Sequence, residues 1–292
     1  MKKKISWIEL IIIFCVVIIF VSGWKFWRKP NENLKITPVP SAVSIDDTMP
    51  VPKDKEKDLC NAIIAGNFER IKELVRENPE IVNSRCYSYS SNPHFHEVVR
   101  KDYKEIVKLF IENGADVNAK NPSGWTPLHF AKDIDIAILL IEKGADVNAK
   151  TLGNVSPLHE SAFRCNKEIS QLLIEKGADV NAKDESGSTP LHGIVGVLTF
   201  ENKKETILTL LKNGANINVQ NNSGLSPLHI AAKYGTGYEE LLPLLIENGA
   251  DINAKTNDGK TPLDLAAESN SYYKEKTITL LLEYGAKDGN KL

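Results

Sequence analysis

The hydrophobic pattern changes three times along the chain. Residues 5–24, ISWIELIIIFCVVIIFVSGW, form one apolar run interrupted by a single charge, Glu9. Between 30 and 52, PNENLKITPVPSAVSIDDTMPVP, large apolar residues thin out and five of the fourteen prolines fall, which predicts an extended tether because proline fixes φ and lacks an N–H donor. After the charged KDKEKD run the apolar positions return at helical spacing, as in Ile169, Leu172 and Leu173. Such stretches stop at Gly114, Gly144, Gly177, Gly214 and Gly249, where glycine serves as the left-handed end of a helix.

As a helix rising about 1.5 Å per residue, the run 5–24 matches a hydrocarbon core of about 30 Å. Trp7 at one end and Trp24 with Trp27 at the other fall where amphipathic aromatics favour the interface, and Glu9 stays off the costly centre. Residues 1–29 therefore read as a single-pass membrane anchor, followed by a tether over 30–56. The competing reading is a signal peptide cleaved near Val21-Ser22-Gly23, although the run is long for one and does not end in Ala-x-Ala. The stretch WIELIIIF is also similar to the start of type IV pilin-like proteins, but Lys4 stands where that family has its glycine. Lys2, Lys3 and Lys4 precede the run while Lys25, Arg28, Lys29 and Lys35 follow it, so positive charge leaves the orientation open.

The remainder repeats itself. NGADVNAK at 113–120 returns as KGADVNAK at 143–150 and 176–183, NGANINVQ at 213–220 and NGADINAK at 248–255. Between these stand TPLHFA at 126, SPLHES at 156, TPLHGI at 189, SPLHIA at 226 and TPLDLA at 261. The closing asparagines 118, 148, 181, 218 and 253 step by 30, 33, 37 and 35 residues. This pattern closely resembles the ankyrin repeat, with its period of about 33 and its T-P-L-H-x-A signature, over roughly residues 57–290. The resemblance implies an all-α solenoid of stacked helix-turn-helix units joined by β-turn loops, here tethered to an N-terminal transmembrane helix. It also implies that His129, His159, His192 and His229 belong to a hydrogen-bond network between neighbouring units.

The residues support the same architecture independently. Thr126, Ser156, Thr189, Ser226 and Thr261 each precede a proline, an N-cap hydroxyl followed by the residue best suited to the first helical position. Gly124, Gly187, Gly224 and Gly259, with Asn154 in the same place, predict a positive φ in each turn. Residues 57–83 lack the T-P-L-H start and read as an N-terminal capping repeat; full units follow near 90–118, 124–148, 154–181, 187–218, 224–253 and 259–290. From motif proline to stop glycine the distance varies through 17, 20, 24, 22 and 23 residues, which places insertions at the turn between the two helices. The short second unit and the glycines 193 and 196 mark expected soft points.

Composition narrows the function. With 42% hydrophobic and 25% charged residues the chain is ordinary globular protein. The net charge of −2 divides into +5 over residues 1–35 and −7 over the rest, so the repeats offer no basic face for nucleic acid. The histidines and Asp116, Asp146, Asp179 and Asp251 recur in register with the fold, which separates them instead of pairing them for acid–base work. No phosphate-binding glycine loop, nucleophile elbow or paired-cysteine zinc pattern occurs, so no enzyme activity, cofactor, metal or small-molecule substrate is expected. Outside Cys15, the cysteines 60, 86 and 165 show no paired spacing and fit a reducing compartment slightly better.

The stretch SRCYSYSSNPHFHEVV at 84–99 is the exception, since Cys86, His94 and His96 crowd together. Aligned with later units, His94, Phe95 and His96 replace Pro, Leu and His, which makes His96 the repeat histidine. Cys86 and His94 then remain as two donors, too few for a metal without a third. What is left for function is surface. The residues after the turn, Trp125, Val155 and Leu225, together with Phe163, Arg164, Lys233 and Tyr234 near the ends of first helices, are the candidate partner contacts. The expected function is a non-enzymatic, membrane-anchored module for protein–protein interaction, held in the bilayer by residues 5–24; the alternative is a secreted effector or inhibitor with the same repeats.

Overall fold

The computed structural model describes residues 54–86, 92–197, 202–235 and 238–287. The expected membrane segment and most of the tether lie outside them, as do Tyr87 and Tyr89 of the stretch 84–99. Among the described residues no helix is long and apolar enough to cross a membrane.

The folded part is all helical. It opens with α1 (Asp54–Ala65) and α2 (Phe68–Glu77), followed by a 3-10 turn (Pro79–Asn83). α1 begins inside KDKEKD, three residues before the expected start of the capping repeat, because Asp54 and Glu56 suit the positive end of a helix dipole. Six helix pairs follow: α3 (His94–Arg100) with α4 (Lys104–Glu112), α5 (Pro127–Phe130) with α6 (Ile134–Glu142), α7 (Pro157–Phe163) with α8 (Lys167–Glu175), α9 (Pro190–Val195) with α10 (Lys203–Lys212), α11 (Pro227–Tyr234) with α12 (Tyr238–Glu247), and α13 (Pro262–Ala267) with α14 (Lys274–Glu283). The sole bridge pairing recorded among the described residues joins Arg85 and Pro93.

First helices pack on first helices from one unit to the next, and second helices on second helices from α2 through α10 and between α12 and α14. The leucine of each of the four histidine-bearing motifs, Leu128, Leu158, Leu191 and Leu228, is at most 2% exposed, Leu263 of the fifth is 9% exposed, and all belong to one continuous core. Each such burial is worth roughly 1.5–3 kcal/mol. Length varies within the first helix as well as at the expected turn between the two helices. α5 is a single turn, whereas residues 196–202 separate α9 from α10.

Two backbone ladders stitch the loops. The repeat asparagines use both ends of their amides: Asn148 Nδ2 donates to the Gly177 carbonyl at 2.9 Å and its Oδ1 accepts from the Asp179 N–H at 2.9 Å. Asn83, Asn118, Asn181 and Asn218 make the same pair of bonds to the following unit. At the turn tips the N–H groups of Leu152, Glu185, Asn222 and Asn257 bond to the carbonyls of Ser123, Gly153, Ser186 and Ser223. Backbones come so close there that a side chain is excluded: a Cβ on Gly187, at φ +75, would stand 2.9 Å from the Asn222 nitrogen. Asn154 and the glycines 124, 187, 224 and 259 all have the positive φ that the turn demands.

Gly187→Ala and Gly193→Ala should move stability in opposite directions. The first forces two backbones apart and adds left-handed strain, for a loss of at least about 1 kcal/mol. The second lies inside α9 with nothing within 4 Å of its added Cβ, and should gain about 0.5–1 kcal/mol. Urea denaturation of the two variants beside the parent protein measures both; a destabilised Gly193→Ala would contradict the packing around α9.

Candidate functional site

The most chemically suggestive groups of the fold are its six histidines, and all six are buried. Five share one position and one forward bond, and four of them the full geometry. Each sits three residues into a first helix, and in His129, His159, His192 and His229 the ring Nδ1 accepts the N–H of the N-cap residue at 3.1–3.2 Å, with the N-cap hydroxyl beside it. With Nδ1 accepting, Nε2 must carry the proton. It donates forward to the next unit: His129 to the Val155 carbonyl, His159 to Ser188, His192 to Leu225 and His229 to Lys260, at 3.0–3.2 Å. His96 makes the same forward bond to Trp125 at 2.9 Å and is thereby the repeat histidine of its unit.

The two ends modify this interaction in different ways. In the first full unit the N-cap is Pro93, which has neither N–H nor hydroxyl, and the His96 Nδ1 is left buried without a hydrogen-bond partner. In the last, Asp264 takes the histidine position and accepts from the Thr261 N–H and hydroxyl at 2.8 and 2.9 Å. A carboxylate keeps the capping box and has no N–H to pass onward.

Burial, the largest influence on each ring, holds the histidines below their usual range, His129 and His94 down to about 4. His96, His159, His192 and His229 are lowered for the same reason. These are neutral structural groups. The repeat aspartates are equally occupied: Asp116, Asp146, Asp179 and Asp251 each accept the N–H two residues on. A shallow cavity of about 410 Å³ lined by Leu208, Leu211, Lys212, Ala215, Ile217 and Asn248 has one ionisable group, Lys212, and so no acid–base pair.

The candidate partner contacts fall into two sets. The carbonyls of Trp125, Val155 and Leu225 accept the histidine bonds, and their side chains are half-buried. The Trp125 ring packs against His129 and Phe130, with centroids 5.3 and 5.5 Å away, and Leu225 packs on the core. Phe163 and Tyr234 are 41% and 44% exposed at the ends of α7 and α11, and Lys233 Nζ lies 5.8 Å from the Tyr234 ring centroid. α9 packs between α7 and α11, so the pairs Phe163–Arg164 and Lys233–Tyr234 are not brought into contact. Arg164 is half-buried: it donates to the His129 carbonyl at 2.9 Å and pairs with Glu160 at 2.7 Å, stitching its unit to the one before.

The fold brings forward two residues that the spacing left unmarked, Cys60 and Lys203. Cys60 on α1 meets Cys86 as a disulfide with Cα atoms 5.3 Å apart, and His94 lies beside the pair. The expectation of unpaired cysteines is thus corrected: α1 and the bridge at Arg85 bring together thiols that are 26 residues apart in sequence. Cys165 remains buried on its own unit. The buried Lys203 donates to the Val195 and Val197 carbonyls at the end of α9, and burial lowers it to about 8.

Residues 59–151 and 197–291 match the family described as Ankyrin repeats (3 copies), and 154–185 match the single Ankyrin repeat. Among known proteins the chain is 34% identical over 73 residues to the potassium channel AKT1 of Arabidopsis thaliana, covering 25% of this chain and 8% of the channel. It is 36% identical over 74 residues to protein phosphatase 1 regulatory subunit 12A of Mus musculus, 24% of this chain and 7% of that protein. Protein phosphatase 1 regulatory subunit 27 of Homo sapiens is 36% identical over 66 residues, 23% of this chain and 42% of the relative. The chain therefore spans less than half the length of each.

The neutral histidines predict acid sensitivity. In the unfolded chain a histidine binds its proton near pH 6.5, whereas the folded rings resist protonation to about 4 at His129. The unfolded state then holds more protons throughout that window, so stability is full above pH 6.5 and falls as the pH drops. Each ring contributes up to about 1.4 kcal/mol per pH unit within its window. Urea midpoints between pH 7.5 and 4.5 should decline, with a shallower slope in His129→Gln; a flat profile would contradict the neutral ladder.

Proposed function

The chain belongs to the ankyrin-repeat family, and from that premise we propose that it is a non-enzymatic module that holds a protein partner at a membrane through an anchor in residues 5–24. Ankyrin repeats mediate protein–protein interaction, and the observation that carries the non-enzymatic reading is the histidine ladder. The groups most able to perform acid–base chemistry are buried, neutral and bonded between units, so the recurring polar side chains are spent on the stack. Recognition then falls to side chains outside that register. Phe163 on one unit and Tyr234 with Lys233 on another offer aromatic surface edged by charge, and Trp125, Val155 and Leu225 set the shape of the turn row beside them. The similarity to regulatory subunits of protein phosphatase 1 supports a partner that is itself a protein.

The membrane part of the proposal rests on the length of the apolar run, its aromatic flanks and the proline-rich tether at 30–52, which gives the repeats reach from a bilayer. If the run were instead removed as a signal peptide, the same repeats would act as a secreted effector.

Two measurements test the proposal. The full chain should stay in the membrane pellet after alkaline carbonate extraction and keep its N-terminal mass, whereas a soluble form shortened by about 23 residues would sink the anchor. A photo-crosslinking residue at position 163 or 234 in the native host should give one discrete heavier species. The same probe at Tyr272, which is 93% exposed, serves as the control, and identical adduct patterns at all three positions would count against a partner surface on α7 and α11.

A further inference from the structure

We propose that Cys60, Cys86 and His94 form a binding site for a thiophilic cation, Zn²⁺ or Cu⁺, when the two cysteines are reduced. The three residues come from separate elements: Cys60 from α1, Cys86 from the bridge segment, and His94 from the first position of α3. All three are buried, and their donor atoms lie within 4.8 Å of one another.

The orientation of His94 distinguishes this cluster from a simple disulfide. Ser84 Oγ donates to the Ile81 carbonyl at 2.7 Å, so towards His94 Nδ1, 2.9 Å away, it acts as acceptor. The proton of the neutral ring is therefore on Nδ1, and Nε2 keeps a bare lone pair. That nitrogen is fully buried and makes no hydrogen bond. A disulfide between Cys60 and Cys86 accounts for two sulfurs and leaves the third donor buried without a hydrogen bond, which is unfavourable. A cation bonded to both sulfurs and to Nε2 satisfies all three.

The chemistry of the donor set agrees with that choice. Two thiolates and an imidazole are soft ligands of the kind that select Zn²⁺ or Cu⁺ over Mg²⁺ or Ca²⁺. Two thiolates on a tetrahedral Zn²⁺, each at about 2.3 Å, stand about 3.8 Å apart, so on reduction the two sulfurs must part from bonding distance to admit the cation, between Cα atoms now 5.3 Å apart. Ser84 supplies the outer hydrogen bond that commonly fixes the tautomer of a ligating histidine. Disulfide and metal forms are alternative states of one site. A thiol or phosphine reductant supplies two electrons to break the S–S bond, and two protons complete the thiols. Cation binding then expels those two protons as the S–metal bonds form, with no further change in oxidation state. Either state ties α1 of the capping repeat to the first full unit.

The full-length chain in detergent, reduced with a phosphine and desalted without oxygen, is titrated with Zn²⁺, with Co²⁺ as spectroscopic probe, and in a separate arm with Cu⁺ under a competing chelator. The expected result is about one equivalent of Zn²⁺ or Cu⁺ per chain, thiolate-to-cobalt charge transfer in the near ultraviolet, and release of about two protons per Zn²⁺. Cys86→Ser and His94→Gln should each weaken binding by about tenfold or more. His94→Gln should still form the disulfide on oxidation, which shows that its fold is intact. If the cysteine variants do not fold, the cobalt spectrum of the parent chain and the His94→Gln titration decide the matter. A reduced parent chain that takes up no stoichiometric cation, or a His94→Gln chain that binds as tightly as the parent, would overturn the site and leave a disulfide staple.

Discussion

The stack depends on a neutral imidazole that accepts at Nδ1 and donates at Nε2. In four of the first helices the ring accepts the N-cap N–H at the helix start, and donating to the next unit's carbonyl fixes where the following turn must lie. One ring therefore couples local helix initiation to unit spacing. Protonation would abolish the first role, since Nδ1 would no longer have a lone pair. Burial prevents this, and the same burial supplies the apolar contacts of the motif leucines. Each bond on its own is worth about 1 kcal/mol. Its weight comes from repetition, because stability in such an array is a sum over units and their neighbours.

That coupling explains how the units tolerate unequal lengths. α5 is four residues long yet keeps its capping box, its forward histidine bond and its asparagine pair. The longer connection between α9 and α10 leaves the ladders undisturbed, and Lys203 folds back to cover carbonyls at the end of α9. Variation gathers away from the histidine and asparagine bonds, while side chains at the inter-helix turn, such as Asn166 to the Lys132 carbonyl, still tie neighbouring units together.

The same logic decides how much was legible in the sequence. Everything in register could be read there: the proline-led helix starts, the stop glycines, the positive φ of Asn154 and its four glycine counterparts, and His96 as a repeat histidine under altered neighbours. The recurring asparagines were visible as a pattern, although their double bond to the next unit is a property of two chains of backbone brought side by side. Out-of-register contacts were not legible. Trp125 looked like free surface after a turn, yet its ring packs on His129 and Phe130. Arg164 looked available, yet it reaches back to the preceding unit. Cys60 carried no signal at all, since its partners are set by how α1 packs against the segment around residue 86.

His94 and His96 show what register means for chemistry. They lie two residues apart in one turn of α3, and both are wholly buried. His96 is in register, and its protonated Nε2 points forward to the Trp125 carbonyl. His94 occupies the place of the motif proline, where no ladder bond awaits it, and Ser84 draws its proton to Nδ1. The two rings thus adopt opposite tautomers in nearly the same surroundings: one is spent as a donor and the other retains a lone pair beside two sulfurs. A repeat scaffold consumes the reactive groups that recur, so its unspent chemistry collects where a unit departs from the pattern, and in this chain that place is the junction between the capping repeat and the first full unit.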